Sequence, residues 1–310
     1  MSSTSHSATR SRPAVATWLI AIGHGLSQIF FQSNVVTAVL MLAAFAVADL
    51  QMAALVLVGC IAGTLAGRLL GAKTGDVVAG LQGFCGTLVG AATFALLGGQ
   101  PASYLAALVG GALCAPVTWL VVMLFTRTPL KVYALPATTA PFCLVATGIL
   151  LATVPLQVAS APLTTADSEV AAFFRSLFTN VSQVVLIDNV WSGGLILLGL
   201  FIASWKVGLA AILGSVVGSL GALTIGESLT ETGNGLAGYS GVLTAIALSV
   251  TFLASSAISW TLALVGTIIT MFVTLLMHEL DAATYTWPYI LTTWVLLIIA
   301  HYLPGAKRAA

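Results

Sequence analysis

The sequence predicts an all-α integral membrane protein made of two inverted repeats, each with five transmembrane helices and one re-entrant helix. Three observations carry that prediction: a membrane composition, an internal duplication, and a short glycine-rich segment in each half. Of 310 residues, 59% are hydrophobic and 6% charged, with a mean hydropathy of +1.08, against roughly 25% charged in an ordinary soluble domain. Net charge is +1 with no basic block able to hold phosphates, so membrane lipids are expected partners and nucleic acid is not.

The duplication shows in residues that recur at a constant separation of 155: Gln28/Gln183, Asn34/Asn189, Gly59/Gly214, Gly63/Gly218, Gly71/Gly226, Gly80/Gly235, Gly83/Gly238, Gly86/Gly241 and Leu88/Leu243. Apolar composition supplies chance Leu and Gly matches, but not paired amides held in one register. In membrane proteins, duplicated halves commonly place a solute path between them.

In chain order, residues 1–13 are polar and predict a flexible tail, with no cleaved signal peptide; the first span then serves as the insertion signal. The first repeat, 14–154, holds apolar segments at 14–33, 35–49, 53–71, 80–97, 102–125 and 134–154. A polar connection at 155–170 follows. The second repeat, 171–303, holds segments at 171–187, 191–205, 207–226, 235–253, 257–277 and 285–303, before a short tail at 304–310. The fourth segment of each repeat, GLQGFCGTLVG and GLAGYSGVLTA, is short of the roughly 20 apolar residues of a comfortable span. Parity then decides the architecture: six crossings per half give parallel repeats, five plus a re-entrant helix give inverted ones. Lys and Arg divide six against four under either topology, so the positive-inside rule does not choose. The glycine spacing at 80, 83 and 86 suits a helix that starts abruptly inside protein, which favours inversion.

No span interior carries a cluster of Asp, Glu, Lys or Arg, which a proton relay or ion-coupled pump would ordinarily need. That argues for a passive route taken by a neutral solute. Asp188, beside Asn189, is expected to cap a helix or sit at an interface. Gln28 and Gln183 lie in apolar runs, where an amide is costly unless its hydrogen bonds are met; they fit either helix packing or the two mouths of an apolar passage. Phe84 and Tyr239 share a helical face with Leu88 and Leu243, as a buried stripe or as the wall of that passage. Thr139 and Thr286 each precede a proline by two residues, so a hydroxyl and freed carbonyl oxygens occur together, with or without a kink. Cys60, Cys85, Cys114 and Cys143 lack any metal or disulfide spacing and read as packing residues, and no metal or cofactor is expected.

SQIFFQSN with SQVVLIDN, GLQGFCGTLVG with GLAGYSGVLTAIAL, and LPATTAPF with TWPYILTTW together resemble the urea transporter family across nearly the whole chain. The resemblance implies two inverted five-span repeats with re-entrant helices around a continuous path in every protomer of a homotrimer. It implies passive passage of urea and, in some members, of related small amides or ammonia. It places mouth glutamines on Gln28 and Gln183, slot aromatics on Phe31, Phe84 and Tyr239, wall positions on Leu88 and Leu243, and central threonines on Thr139 and Thr286. Leu186 stands where repeat symmetry with Phe31 suggests an aromatic, Tyr239 replaces Phe, Cys85 and Ser240 stand where Asn is common, and Ala282 and Ala283 replace a Leu-Pro. A multi-pass bacterial inner-membrane protein with cytoplasmic termini is the expected setting.

Urea is flat and neutral, with four N–H donors and one carbonyl acceptor in its plane. Aromatic and leucine side chains can press on its faces while glutamine, threonine and carbonyl acceptors line its edge. Two rivals compete. Gly238-Tyr239-Ser240-Gly241 resembles the serine setting of a rhomboid protease, but its counterpart, Gly83-Phe84-Cys85-Gly86, marks the glycines as a repeated backbone feature without a paired histidine. An ammonium-type channel favours paired pore histidines, whereas His24, His278 and His301 have no repeat partners. A purely structural membrane protein is a further reading, but it gives no account of the paired Gln and Thr.

Overall fold

The computed structural model describes residues 14–160 and 162–309, so the N-terminal tail with Arg10 and Arg12 lies outside the described residues. Nearly all of the described chain is helical. Along the first half run α1 (Ala14–Ser27), α2 (Val35–Ala48), α3 (Leu50–Leu69), α4 (Thr74–Val78), α5 (Phe84–Leu97), α6 (Pro101–Arg127) and α7 (Ala140–Ala152). The second half repeats the order as α8 (Glu169–Gln183), α9 (Val190–Ala203), α10 (Trp205–Thr224), α11 (Leu229–Gly233), α12 (Tyr239–Ile246), α13 (Ala257–Glu279) and α14 (Trp287–Tyr302). Among the described residues, α3, α6, α10 and α13 are each long and apolar enough to cross a membrane, and α1 with α2 forms a further apolar pair bent by 76°. Large apolar side chains such as Leu105, Leu113, Trp119, Leu264 and Phe272 stand exposed on α6 and α13. Such faces suit hydrocarbon, and the chain is a multi-pass membrane protein.

Repeated residues produce repeated backbone. The bounds of α2, α3 and α4 recur in α9, α10 and α11 at the 155-residue offset. Asn34 and Asn189 are the N-caps of α2 and α9, accepting the Thr37 and Ser192 amides at 2.9 and 3.0 Å. Each cap satisfies an amide the helix cannot. The expected capping role therefore belongs to Asn189, and Asp188 pairs instead with Arg175 at 2.7 Å. Left-handed backbone recurs too, with Phe31 and Leu186 at φ 62 and Gly80 and Gly235 at φ 83 and 78. A Cβ on Gly80 would meet the His24 carbonyl carbon at 2.3 Å, and one on Gly235 the Asn180 nitrogen at 2.6 Å. Only glycine lets the chain pass its neighbour that closely.

The register then changes. Helix α6 has 27 residues against 23 in α13, and a 3₁₀ turn at Pro129–Tyr133 has no counterpart after α13. Beyond them the offset is 147, at which Ala134 and Asp281 (φ 45 and 50) and Thr138 and Tyr285 (φ 52 and 38) match again. Pro141 and Pro288 fall in the first turns of α7 and α14, so neither kinks a helix. At that position the missing N–H has no helical partner to lose, and both prolines act as starts.

One hydrophobic core joins the halves, from Leu26 and Met41 through Val145 to Leu243 and Ile290. The halves meet where α2 packs on α9. Thr37 Oγ1 donates to the Gly199 carbonyl at 2.8 Å, and Ser192 Oγ donates to the Ala44 carbonyl at 2.8 Å. Residues 37 and 44 are repeat equivalents of 192 and 199, so each half gives the other the contact it receives. Such reciprocity marks a two-fold relation. Rising along α2 means falling along α9, so the equivalent helices run antiparallel and the pseudo-two-fold axis crosses them.

Candidate solute path

Helices α7 and α14 begin where the halves converge. Thr139 and Thr286, the residues before their first turns, are each 2% exposed, and their hydroxyls are hydrogen-bonded to one another at 2.6 Å. Cys143 Sγ lies 3.1 Å from Thr286 Oγ1. Two helix N-termini thus point at one polar bridge, and their dipoles leave its surroundings positive. Cations are disfavoured there, while a neutral solute with a carbonyl oxygen is not.

From this bridge a partly open cavity of about 290 Å³ leads outward through the second half. Gln183, Leu186, Tyr239 and Thr286 line it, together with Tyr285 and, from α7 of the first half, Phe142. One water needs only about 10–15 Å³ by the same measure, so the space holds a small solute with water. Four of the sequence-predicted residues are brought together here, and Thr139 joins them through its bond to Thr286.

Gln28, Phe31 and Phe84 do not line this cavity. Ser33 Oγ donates to Gln28 Oε1 at 3.3 Å. Phe31 packs edge-on against Phe252 and Tyr289, with centroids 5.4 and 6.1 Å apart. Tyr289 and Phe142 are equivalents at the 147 offset: Tyr289 packs on Phe31 from the opposite half, and Phe142 lines the cavity that Leu186 also lines. Leu88 and Leu243 are fully buried in the core one turn beyond Phe84 and Tyr239, and neither lines the cavity.

Sequence reasoning missed Tyr285, Tyr289, Phe142, Phe252 and Cys143. The 147 offset joins Phe142 to Tyr289, and that signal was available. Phe252 is placed by a π turn at Ala247–Thr251 that the first half lacks, and no sequence periodicity announces it. His24 Nδ1 sits 2.7 Å from the Val78 carbonyl, which ties α1 to α4. Ser240 Oγ is buried with no hydrogen-bond partner among the described residues, whereas a serine nucleophile needs a base within hydrogen-bond reach.

Residues 19–301 match the profile of the urea transporter family. The chain belongs to that family. Its relatives include Urea transporter 1 of Rattus norvegicus, 28% identical over 312 residues, which span 96% of this chain and 81% of the rat protein. Urea transporter 1 of Mus musculus is 28% identical and that of Ovis aries 27%, over the same shares of both chains. Members of the urea transporter family are transporters and not enzymes, and the serine-protease reading of Ser240 ends there.

Proposed function

We propose that this protein passes urea down its gradient through a channel-like path in each protomer, from the Gln28 mouth across the Thr139–Thr286 bridge to the Gln183 mouth. The observation that carries the reading is the convergence of a glutamine, an aromatic and a threonine on one cavity ending at a polar bridge between two helix starts. Gln28 and Gln183 replace water around the solute's N–H groups at the two ends. Phe31, Phe84, Leu186 and Tyr239 press on its faces, with Leu88 and Leu243 as apolar backing. The threonine hydroxyls donate or accept in turn at the centre. Ions fail to enter because charge desolvation costs far more than amide desolvation.

Two inverted repeats, 14–154 and 171–303, frame this path. The antiparallel pairing of α2 with α9 supports inversion, since helices that run along the membrane normal then carry their pseudo-axis in the membrane plane. Helix α5, at 14 residues, rises about 21 Å and falls short of the ~30 Å hydrocarbon core, in keeping with a re-entrant helix. Assembly as a homotrimer in a bacterial inner membrane, with both termini cytoplasmic, completes the reading.

Urea entry into proteoliposomes tests the path through Gln28→Ala, Gln183→Ala and Thr139→Val. Each is expected to lower urea permeability about fivefold or more, a loss of the size expected from one hydrogen-bonding group. Undiminished flux in all three sinks the assignment. Stopped-flow comparison of urea with acetamide, formamide and ammonia separates a urea path from one for short amides or ammonia.

A further inference from the structure

The repeats spell one slot aromatic differently, Phe84 in the first and Tyr239 in the second, and the hydroxyl has a specific destination. Tyr239 Oη donates to the carbonyl oxygen of Tyr285 at 2.5 Å. Tyr285 immediately precedes Thr286, and both it and Tyr239 line the cavity. Its equivalent, Thr138, holds the same left-handed backbone immediately before Thr139. Phe84 has no hydroxyl to offer there, and among the described residues the Thr138 carbonyl meets only Cys85 Sγ, at 3.8 Å. A thiol is a weak donor. The same carbonyl, in the same conformation beside the same central threonine, is therefore engaged in one half and close to free in the other.

We propose that the Tyr239 hydroxyl determines solute specificity by taking up the Tyr285 carbonyl, which weakens amide recognition on the Gln183 side of the threonine bridge. This rests on the urea path proposed above. Urea brings four N–H groups and draws on more acceptors than formamide, which brings two. Engaging an acceptor therefore costs urea more than formamide. The hydroxyl turned back on the backbone also leaves the Tyr239 ring to act as an apolar wall, as Phe84 does. The path then recognises amide N–H groups less strongly on one side of its centre than on the other.

The test is the ratio of urea to formamide permeability in proteoliposomes, because a merely structural change lowers both together. Tyr239→Phe is expected to raise that ratio about two- to tenfold by freeing the carbonyl, and Phe84→Tyr to lower it by engaging the Thr138 carbonyl. An unchanged ratio in Tyr239→Phe, with urea still passing through the wild type, overturns this inference and leaves the path standing. Wild-type protein that passes no urea overturns both. Should Tyr239→Phe fail to yield monodisperse protein, Phe84→Tyr decides alone: a ratio that does not fall overturns the proposal.

Discussion

At the Gln28 end, Ser33 holds the amide and Phe31 is wedged between Phe252 and Tyr289; at the Gln183 end, the amide has no partner among the described residues and a cavity opens beside the smaller Leu186. The backbone beneath is the same at both, with residues 31 and 186 each at φ 62. Side-chain volume accounts for the difference. Leu135, Pro136 and Phe31 stand where the second half has Ala282, Ala283 and Leu186. Repeated backbone sets the frame, and the residues hung on it decide where space is left.

The buried layers behind the two ends differ as well. Gly25, Cys60 and Thr64 in the first half correspond to Asn180, Ser215 and Ser219 in the second, where Asn180 Nδ2 donates to both serine hydroxyls, at 3.0 and 2.8 Å. Arg175 extends that polar layer, bonding Asp188 and, at 3.1 Å, Asn234 Oδ1. Asn234 in turn holds Thr164 of the connecting segment. Both halves pack by close backbone approach, since a Cβ on Gly59 would lie 2.1 Å from the Gly86 carbonyl oxygen and one on Gly214 2.5 Å from that of Gly241, and the second half adds side-chain hydrogen bonds to it.

The sharpest way to break this contrast is at the glycines. A Cβ on Gly86 would lie 2.1 Å from the Gly59 carbonyl oxygen, whereas one on Gly241 would lie 3.2 Å from the Gly214 oxygen and 2.8 Å from Thr267 Cγ2. Gly86→Ala is expected to destabilise by about 3 kcal/mol and Gly241→Ala by about 1 kcal/mol, read from thermal unfolding in detergent. Equal losses would mean that the first half is no more tightly packed than the second. Next in size, Asp188→Asn removes one partner of a half-buried ion pair and should cost about 2 kcal/mol, below the ~3–5 kcal/mol of a fully buried pair. Ser33→Ala, its counterpart, should cost under about 1 kcal/mol. A Ser33→Ala loss as large as that of Asp188→Asn would erase the distinction. A small effect is also expected for Phe252→Leu, which gives up the edge-on contact with Phe31, about 1 kcal/mol. By loosening the Gln28 end it should raise urea permeability up to about twofold; a fall would show that Phe252 helps shape the path.

Much of this architecture was legible in the chain. The apolar segments and the 155 offset located α2 and α3 and their copies but not the short α4 and α11, and the shorter offset of the threonine pair located the lost turn after α13. Gln183, Leu186, Tyr239 and Thr286 were named from sequence and lie on one cavity. What escaped depends on tertiary placement. Arg175 and Asp188 are 13 residues apart and meet only because the chain turns back between α8 and α9. Leu88 and Leu243 share the helical spacing of Phe84 and Tyr239, yet spacing does not tell a cavity wall from the core behind it. Pro141 and Pro288 fit a kink or a start equally well until the cap residues are seen.

The paired bonds of Thr37 to Gly199 and Ser192 to Ala44 have a consequence for assembly. A contact in which each side gives what it receives can be made by two identical chains, with no linker between them. Two half-length chains could thus close the same contact as an antiparallel pair. In one chain the two sides are free to differ, as Gly25 and Cys60 differ from Asn180 and Ser215. Two polypeptides, cut within the connecting segment and expressed together, retain every reciprocal bond needed to find each other.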